Sequence, residues 1–185
     1  MKSEKALLVI DIQNDYFEGG KMQLDGSLEA SLKAKQIIEI FRNEKRPVLF
    51  IKHISLKPDA TFFLPDTNGA EIYENIKPIE SDKIFIKHYP NSFKETDLLE
   101  YLNFNHVSDL TICGMMTHMC IDATTRAAKD FGFYCTLLGD ACATKSLEYN
   151  GVKIKSSDVH NSFLAALNKT YANVISTEEY LLLNR

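Results

Sequence analysis

No stretch of this 185-residue chain approaches the ~18 consecutive apolar residues that a membrane span requires, so no membrane partner is expected. The opening Met1-Lys2-Ser3-Glu4-Lys5 lacks an adequate apolar h-region and has no small-residue cleavage site behind it. Basic residues are in no surplus. The formal charge is −4, and no basic run interleaves with aromatics, which removes the usual signature of a nucleic-acid partner. Cys113, Cys120, Cys135 and Cys142 show no C-x-x-C spacing, and two of them sit in strand-like runs. A disulfide framework or a zinc knuckle is therefore not expected; a reduced, cytoplasmic protein is. Internal repeats, low-complexity tracts and linkers are also lacking, and a single domain over residues 1–185 is expected. What remains is an ordinary globular composition, 45% hydrophobic and 25% charged, with length enough to bury about 70% of the unfolded surface.

Short apolar runs alternate with amphipathic ones. Lys5-Ala6-Leu7-Leu8-Val9-Ile10-Asp11 is continuous and too short for a helix, as a parallel strand covered on both faces reads. Further strands are predicted over Pro47–Ile51, Lys83–Lys87, Asp109–Cys113, Phe133–Leu138 and Ala172–Ile175. Apolar residues at Leu28, Leu32, Ile37, Ile38, Ile40 and Phe41 predict a helix from Leu28 to Glu44, with Ser27 as its N-cap. Helices are also predicted over Thr96–Leu102, from Cys120 to near Gly132, over Ser156–Asn168 and over Thr177–Leu183. Strands alternating with helices imply a three-layer α/β/α domain around a six-stranded, mostly parallel sheet. Between the second and third strands lies a long, helix-poor segment with Pro58, Pro65, Gly69 and Pro78, a length of connection that is usually functional.

Open parallel sheets bind ligands beyond the carboxyl ends of their strands, where the strand order reverses. In the order 3-2-1-4-5-6, strands one and four flank that reversal. Asp11 ends strand one, Lys87 ends strand three, and Cys120 follows strand four at the start of a helix. A helix N-terminus favours the thiolate and lowers a cysteine pKa. Taken singly, each has a plain reading: Cys120 as a small buried residue, Asp11 as a turn former and Lys87 as a surface charge. Together they make a nucleophile set. The ammonium would stabilise a thiolate, and the carboxylate would take the thiol proton and return it to a leaving amine. Backbone N–H groups at the turn are natural donors to the oxyanion, and the first product would be a thioester. No G-x-G-x-x-G follows strand one, which argues against a nucleotide-binding module.

These residues resemble the isochorismatase-like cysteine hydrolases, a family that includes nicotinamidases, N-carbamoylsarcosine amidases and ureidoacrylate amidases. Asp11-Ile12-Gln13-Asn14-Asp15-Tyr16-Phe17 resembles the family's D-x-Q-x-D-F opening, and Glu18-Gly19-Gly20 its glycine pair. Lys87-His88-Tyr89-Pro90-Asn91-Ser92-Phe93 is similar to its K-x-x-x-S-x-F stretch, and Gly114-Met115-Met116-Thr117-His118-Met119-Cys120 to its G-x-x-T-x-x-C turn. The likeness runs from about residue 5 to 180. It implies Cys120 as nucleophile, Asp11 as general acid/base and Lys87 as the third member of a triad. It also implies a cis peptide at Met115–Met116 and an oxyanion hole from the N–H groups of Met116 and Cys120. Tyr16 takes the position of a pocket aromatic, and Gln13, Phe62 and His118 are further candidates for substrate binding.

Two departures refine the expectation. The family's nicotinamidases carry a metal set that begins D-x-H, where this chain reads Ile51-Lys52-His53. With no carboxylate there, neither a metal nor any other cofactor is expected, and His53 is read as a structural or pocket-edge imidazole. Isochorismatases proper hydrolyse a vinyl ether without needing the cysteine, so retention of Cys120 points to an amide or carbamoyl substrate. A vinyl-ether hydrolase and a catalytically silent relative are the alternatives. His160 is read as a capping or core imidazole and Cys142 as packing. The aromatic stretch Thr61-Phe62-Phe63-Leu64-Pro65 is expected to cover the pocket or enter a subunit interface, in a homodimer or higher homo-oligomer acting on a small molecule.

Overall fold

A computed structural model describes residues 4–184. Its strands are β1 (Glu4–Ile10), β2 (Val48–His53), β3 (Lys83–Lys87), β4 (Val107–Met115), β5 (Tyr134–Ala143), β6 (Leu147–Tyr149), β7 (Val152–Ile154) and β8 (Asn173–Ile175). Its helices are α1 (Ser27–Asn43), α2 (Leu98–Phe104), α3 (Asp122–Asp130), α4 (Ser156–Leu167) and α5 (Thr177–Leu183). Six strands form one sheet in the order β3-β2-β1-β4-β5-β8, every neighbouring pair parallel. This is the expected order, with β8 as the sixth strand because a small hairpin, β6–β7, intervenes.

The continuous apolar run of β1 has a simple cause. Leu7 and Val9 face one core with Ala34, Ile37, Ile38 and Phe41 of α1 and Tyr180 of α5. Ala6, Leu8 and Ile10 face the other, with Leu98 and Leu102 of α2, Ala128 of α3 and Leu167 of α4. Both faces are covered, so no position in the run is left for a polar side chain. Each fully buried aliphatic of this kind contributes about 1.5–3 kcal/mol relative to exposure.

Two local expectations are corrected. Gly26, in the left-handed conformation at φ 73°, caps α1, and Ser27 is the first helical residue, its hydroxyl donating to Leu24 O at 3.4 Å. The helix also buries Ala30 and Ala34, whereas Leu28 and Leu32 are each 49% exposed. Close approach to the sheet selects the small side chains, and the larger leucines fall outside the contact stripe.

Gly114 fixes the register where the site begins. It pairs with Ile10 at the end of β1, at φ 131°, and a Cβ there would lie 2.0 Å from Ile10 O. Only glycine lets β4 run this close to β1 at the reversal point.

Candidate active site

The strand ends bring the three candidate side chains to one point. Asp11 follows β1 at φ 50°, in the left-handed region that Asp tolerates better than most residues, and its N–H donates to Ile51 O at 3.0 Å. Lys87 is the last residue of β3 and lies in register with His53 at the end of β2. Beyond β4 the Met115–Met116 peptide is cis, and the chain makes a single π-helical turn, Thr117–Ile121, that carries Cys120. Lys87 Nζ then sits 2.7 Å from Asp11 Oδ2, 2.9 Å from His53 Nδ1, 3.1 Å from Tyr89 O and 3.2 Å from Cys120 Sγ. Asp11 and Lys87 are fully buried, and Cys120 is 5% exposed.

The electrostatics follow from that burial. For Lys87, burial pulls the ammonium down, but the Asp11 carboxylate and Cys120 outweigh it and the net direction is up; the side chain stays charged. Burial pushes the Cys120 thiol up, the facing Asp11 adds to this, and Lys87 opposes it only in part. The lowered pKa expected of a helix-start cysteine is therefore corrected. The sulfur lies in the π turn, shielded from water and beside the Asp11 charge, so its resting form is the thiol. Burial lowers His53 to about 4, with the Lys87 charge in the same direction and Asp11 against. The imidazole is neutral at pH 7. Tyr16 is a phenol, held up by burial and then by Cys120, Asp11 and Asp15.

Cys120 opens onto a cavity of about 300 Å³ walled by Tyr16, His53, Phe62, Phe63 and Met116. Lys57, Asp59 and Met119 are at the same cavity. The Tyr16 ring lies 6.0 Å from Phe62 and 4.6 Å from Phe63, which makes one wall aromatic. Grooves of about 500 and 670 Å³ flank Ile84 on β3, but Asp11, Lys87 and Cys120 line neither.

Two expected substrate contacts fall elsewhere. Gln13 is fully buried. Its amide donates to His53 O at 2.9 Å and Ala70 O at 2.7 Å, and its Oε1 accepts His53 N–H at 2.8 Å. With these bonds it clamps the end of β2 rather than lining the cavity. His118 Nδ1 meets Thr144 Oγ1 at 2.5 Å, and its ring packs edge-on to Phe163 of α4, again outside the lining. His160 Nδ1 meets the Thr117 hydroxyl at 2.9 Å.

Asp15 was not singled out in the sequence, although it is the second acid of the opening motif. Its carboxylate accepts from Phe63 N–H at 2.7 Å and Lys21 N–H at 3.1 Å. It thereby ties the aromatic wall to the turn after β1. A Cβ on Gly69 would lie 2.3 Å from that carboxylate, so a glycine is needed where the loop closes over it. In the Lys87–Phe93 stretch the serine position of the motif is held by Asn91, whose Oδ1 accepts Phe93 N–H at 2.9 Å. Ser92 instead pairs with Thr124 of α3, hydroxyl to hydroxyl at 2.8 Å.

Asp11, His53 and Cys120 place three metal-type donor atoms within 4.8 Å of one another. The Lys87 ammonium lies among all three, in the place of a cation, and Ile51 is buried in the core where the family's metal set would begin. These residues do not fit a divalent ion, which would have to displace a buried, ion-paired ammonium.

The isochorismatase domain model matches residues 5–179. YddQ, an isochorismatase family protein of Bacillus subtilis (strain 168), is 47% identical over 95% of this chain and 98% of its own. Nicotinamidase 3 of Arabidopsis thaliana is 30% identical over 75% of this chain and 73% of its own. A crystal structure from Oleispira antarctica described as an isochorismatase hydrolase superposes with a TM-score of 0.94, at 41% identity and 98% coverage of both chains. With one domain match along almost all of its length and relatives this similar, the chain belongs to the isochorismatase family of hydrolases.

Proposed function

We propose that this protein is a metal-independent cysteine hydrolase that cleaves the C–N bond of a small amide or carbamoyl compound. The observation that carries the reading is the convergence of carboxylate, ammonium and thiol on one buried point, with Lys87 Nζ 2.7 Å from Asp11 and 3.2 Å from Cys120, at the floor of a cavity sized for a small molecule. Asp11 takes the Cys120 proton as sulfur attacks the carbonyl carbon, and Lys87 offsets the negative charge on sulfur and carboxylate. The carbonyl π pair moves to oxygen, where the N–H groups of Met116 and Cys120 receive it. Collapse of the tetrahedral intermediate breaks C–N, and Asp11 returns the proton to nitrogen. Water then attacks the thioester carbon, losing its proton to Asp11, and the acid leaves as the thiol is restored.

A thiol that rests protonated fits this route, because Asp11 must then act in the first step. The test is a screen of small amides and carbamoyl compounds for ammonia release, with and without chelator. For a compound that turns over, Cys120→Ala and Asp11→Asn each lose at least about 10³-fold in kcat with unchanged circular dichroism. A rate that survives Cys120→Ala removes the thioester route. If isochorismate is then the compound hydrolysed, the vinyl-ether reading replaces this one.

A further inference from the structure

We infer that His53 is a substrate-binding residue: its Nε2–H donates into the cavity, in a tautomer that the Lys87 ammonium dictates. The inference rests on the proposed function for one point, that the cavity above Cys120 receives the substrate.

An ammonium has three N–H bonds and no lone pair. Around Lys87 Nζ stand four acceptors, Asp11 Oδ2, His53 Nδ1, Tyr89 O and Cys120 Sγ. A ring nitrogen 2.9 Å from such a group can only offer its lone pair. A neutral imidazole with a bare nitrogen on that side carries its proton on the other. Burial and the neighbouring ammonium keep the ring neutral, so the proton is on Nε2.

The ring is also held in place. Gln13 grips residue 53 through both its main-chain N–H and its carbonyl, and the Phe63 ring lies 5.9 Å away. His53 lines the cavity with Tyr16, Phe62 and Cys120. Among the described residues Nε2 has no hydrogen-bond partner, and it is not one of the sealed polar atoms left without one. A fixed donor facing a half-enclosed, aromatic-walled space is a recognition element. It selects a substrate that carries, away from the scissile group, an acceptor without a proton of its own: a carbonyl or ether oxygen, or a ring nitrogen. A hydroxyl or amine acting as donor would be refused there, since Nε2–H offers no lone pair.

Two measurements test this. Nitrogen NMR of histidine-labelled protein at pH 7 is expected to show His53 neutral, with Nε2 protonated and Nδ1 bare. The opposite tautomer, or an imidazolium, overturns the inference whether or not any amide is hydrolysed. Binding is then measured for benzamide and its three ring-aza isomers, picolinamide, nicotinamide and isonicotinamide, which differ only in a ring acceptor. At least one isomer is expected to bind about three- to tenfold more tightly than benzamide, the range of one neutral hydrogen bond. His53→Leu is expected to erase the preference. His53→Gln, which can accept from Lys87 and donate with its NH₂, is expected to restore part of it. Equal affinities for all four compounds, or a preference that persists in His53→Leu, overturns the inference. Cys120→Ala keeps the binding preference, so a failure of hydrolysis alone counts against the proposed function and not against His53.

Discussion

At the residue scale the decisive property is that Cys120 and His53 are both kept uncharged beside a charged lysine. Burial and Asp11 hold the thiol up, so difference absorbance of wild type against Cys120→Ser should show no thiolate from residue 120 between pH 6 and 8. A thiolate step in that range would contradict the proton route through Asp11. His53 gives a stability signature whose sign can be worked out. Its folded pKa is about 4, below the ordinary 6.5, so between those values the unfolded chain binds a proton that the native chain does not. Stability then falls as pH drops from about 6.5 towards 4, by something on the order of 1–3 kcal/mol. Urea midpoints should therefore decline less steeply for His53→Gln than for wild type over that window. The sequence placed Asp11, Lys87 and Cys120 at strand ends, but it could not show the thiol's ionisation. That depends on burial and on a carboxylate more than a hundred positions away. Gln13 lies away from the cavity for a related reason: an amide two positions after Asp11 reads as a ligand contact until the backbone of residues 53 and 70 is seen to use it up.

At the element scale the site depends on how tightly β4 approaches β1. Gly114→Ala would drive a methyl to 2.0 Å from Ile10 O at a φ that L side chains rarely adopt. We expect a loss of roughly 2–4 kcal/mol, about 5–15 °C in Tm, with activity falling further because Asp11 and Met116 flank the contact. Asp15→Ala should act differently. Losing the acceptor for Phe63 N–H loosens the aromatic wall, so KM should rise more than kcat falls; a fall in kcat alone would contradict that role. Parallel strands were readable here because both faces of β1 are buried, which leaves a plain apolar run. The β6–β7 hairpin was not read, although Asn150-Gly151 is a strong two-residue turn signal. Both residues have positive φ, 49° and 74°, as a type I′ turn requires. Its strands are short and largely exposed, and no hydrophobic alternation marked them. Strand β5 runs on to Ala143 through a register shift against β4 between Ile112 and Gly114, and an irregularity of that kind has no local sequence pattern.

For the whole molecule, the order β3-β2-β1-β4-β5-β8 gathers residues 11, 87 and 120 at the carboxyl ends of three separate strands, and the long segment between β2 and β3 adds Phe62 and Phe63 to the aromatic wall. The parallel sheet followed from the alternation of elements, its order was the doubly wound one assumed for such sheets, and the path of that loop followed from neither. It is fixed by Asp15 and Gly69, contacts that no periodicity encodes. No helix among the described residues is long and apolar enough to cross a membrane. With an ammonium seated among the only metal-type donor cluster of the described residues, hydrolysis should be indifferent to chelator, and a loss of rate restored by added metal would contradict that. The most direct test of the central claim is intact-mass analysis of acid-quenched protein during turnover of an amide found by the ammonia screen. An acyl mass is expected on wild-type protein, mapped to Cys120 and absent from Cys120→Ala, which releases no ammonia. Undiminished turnover by Cys120→Ala, with no acyl adduct on the wild type, would contradict it.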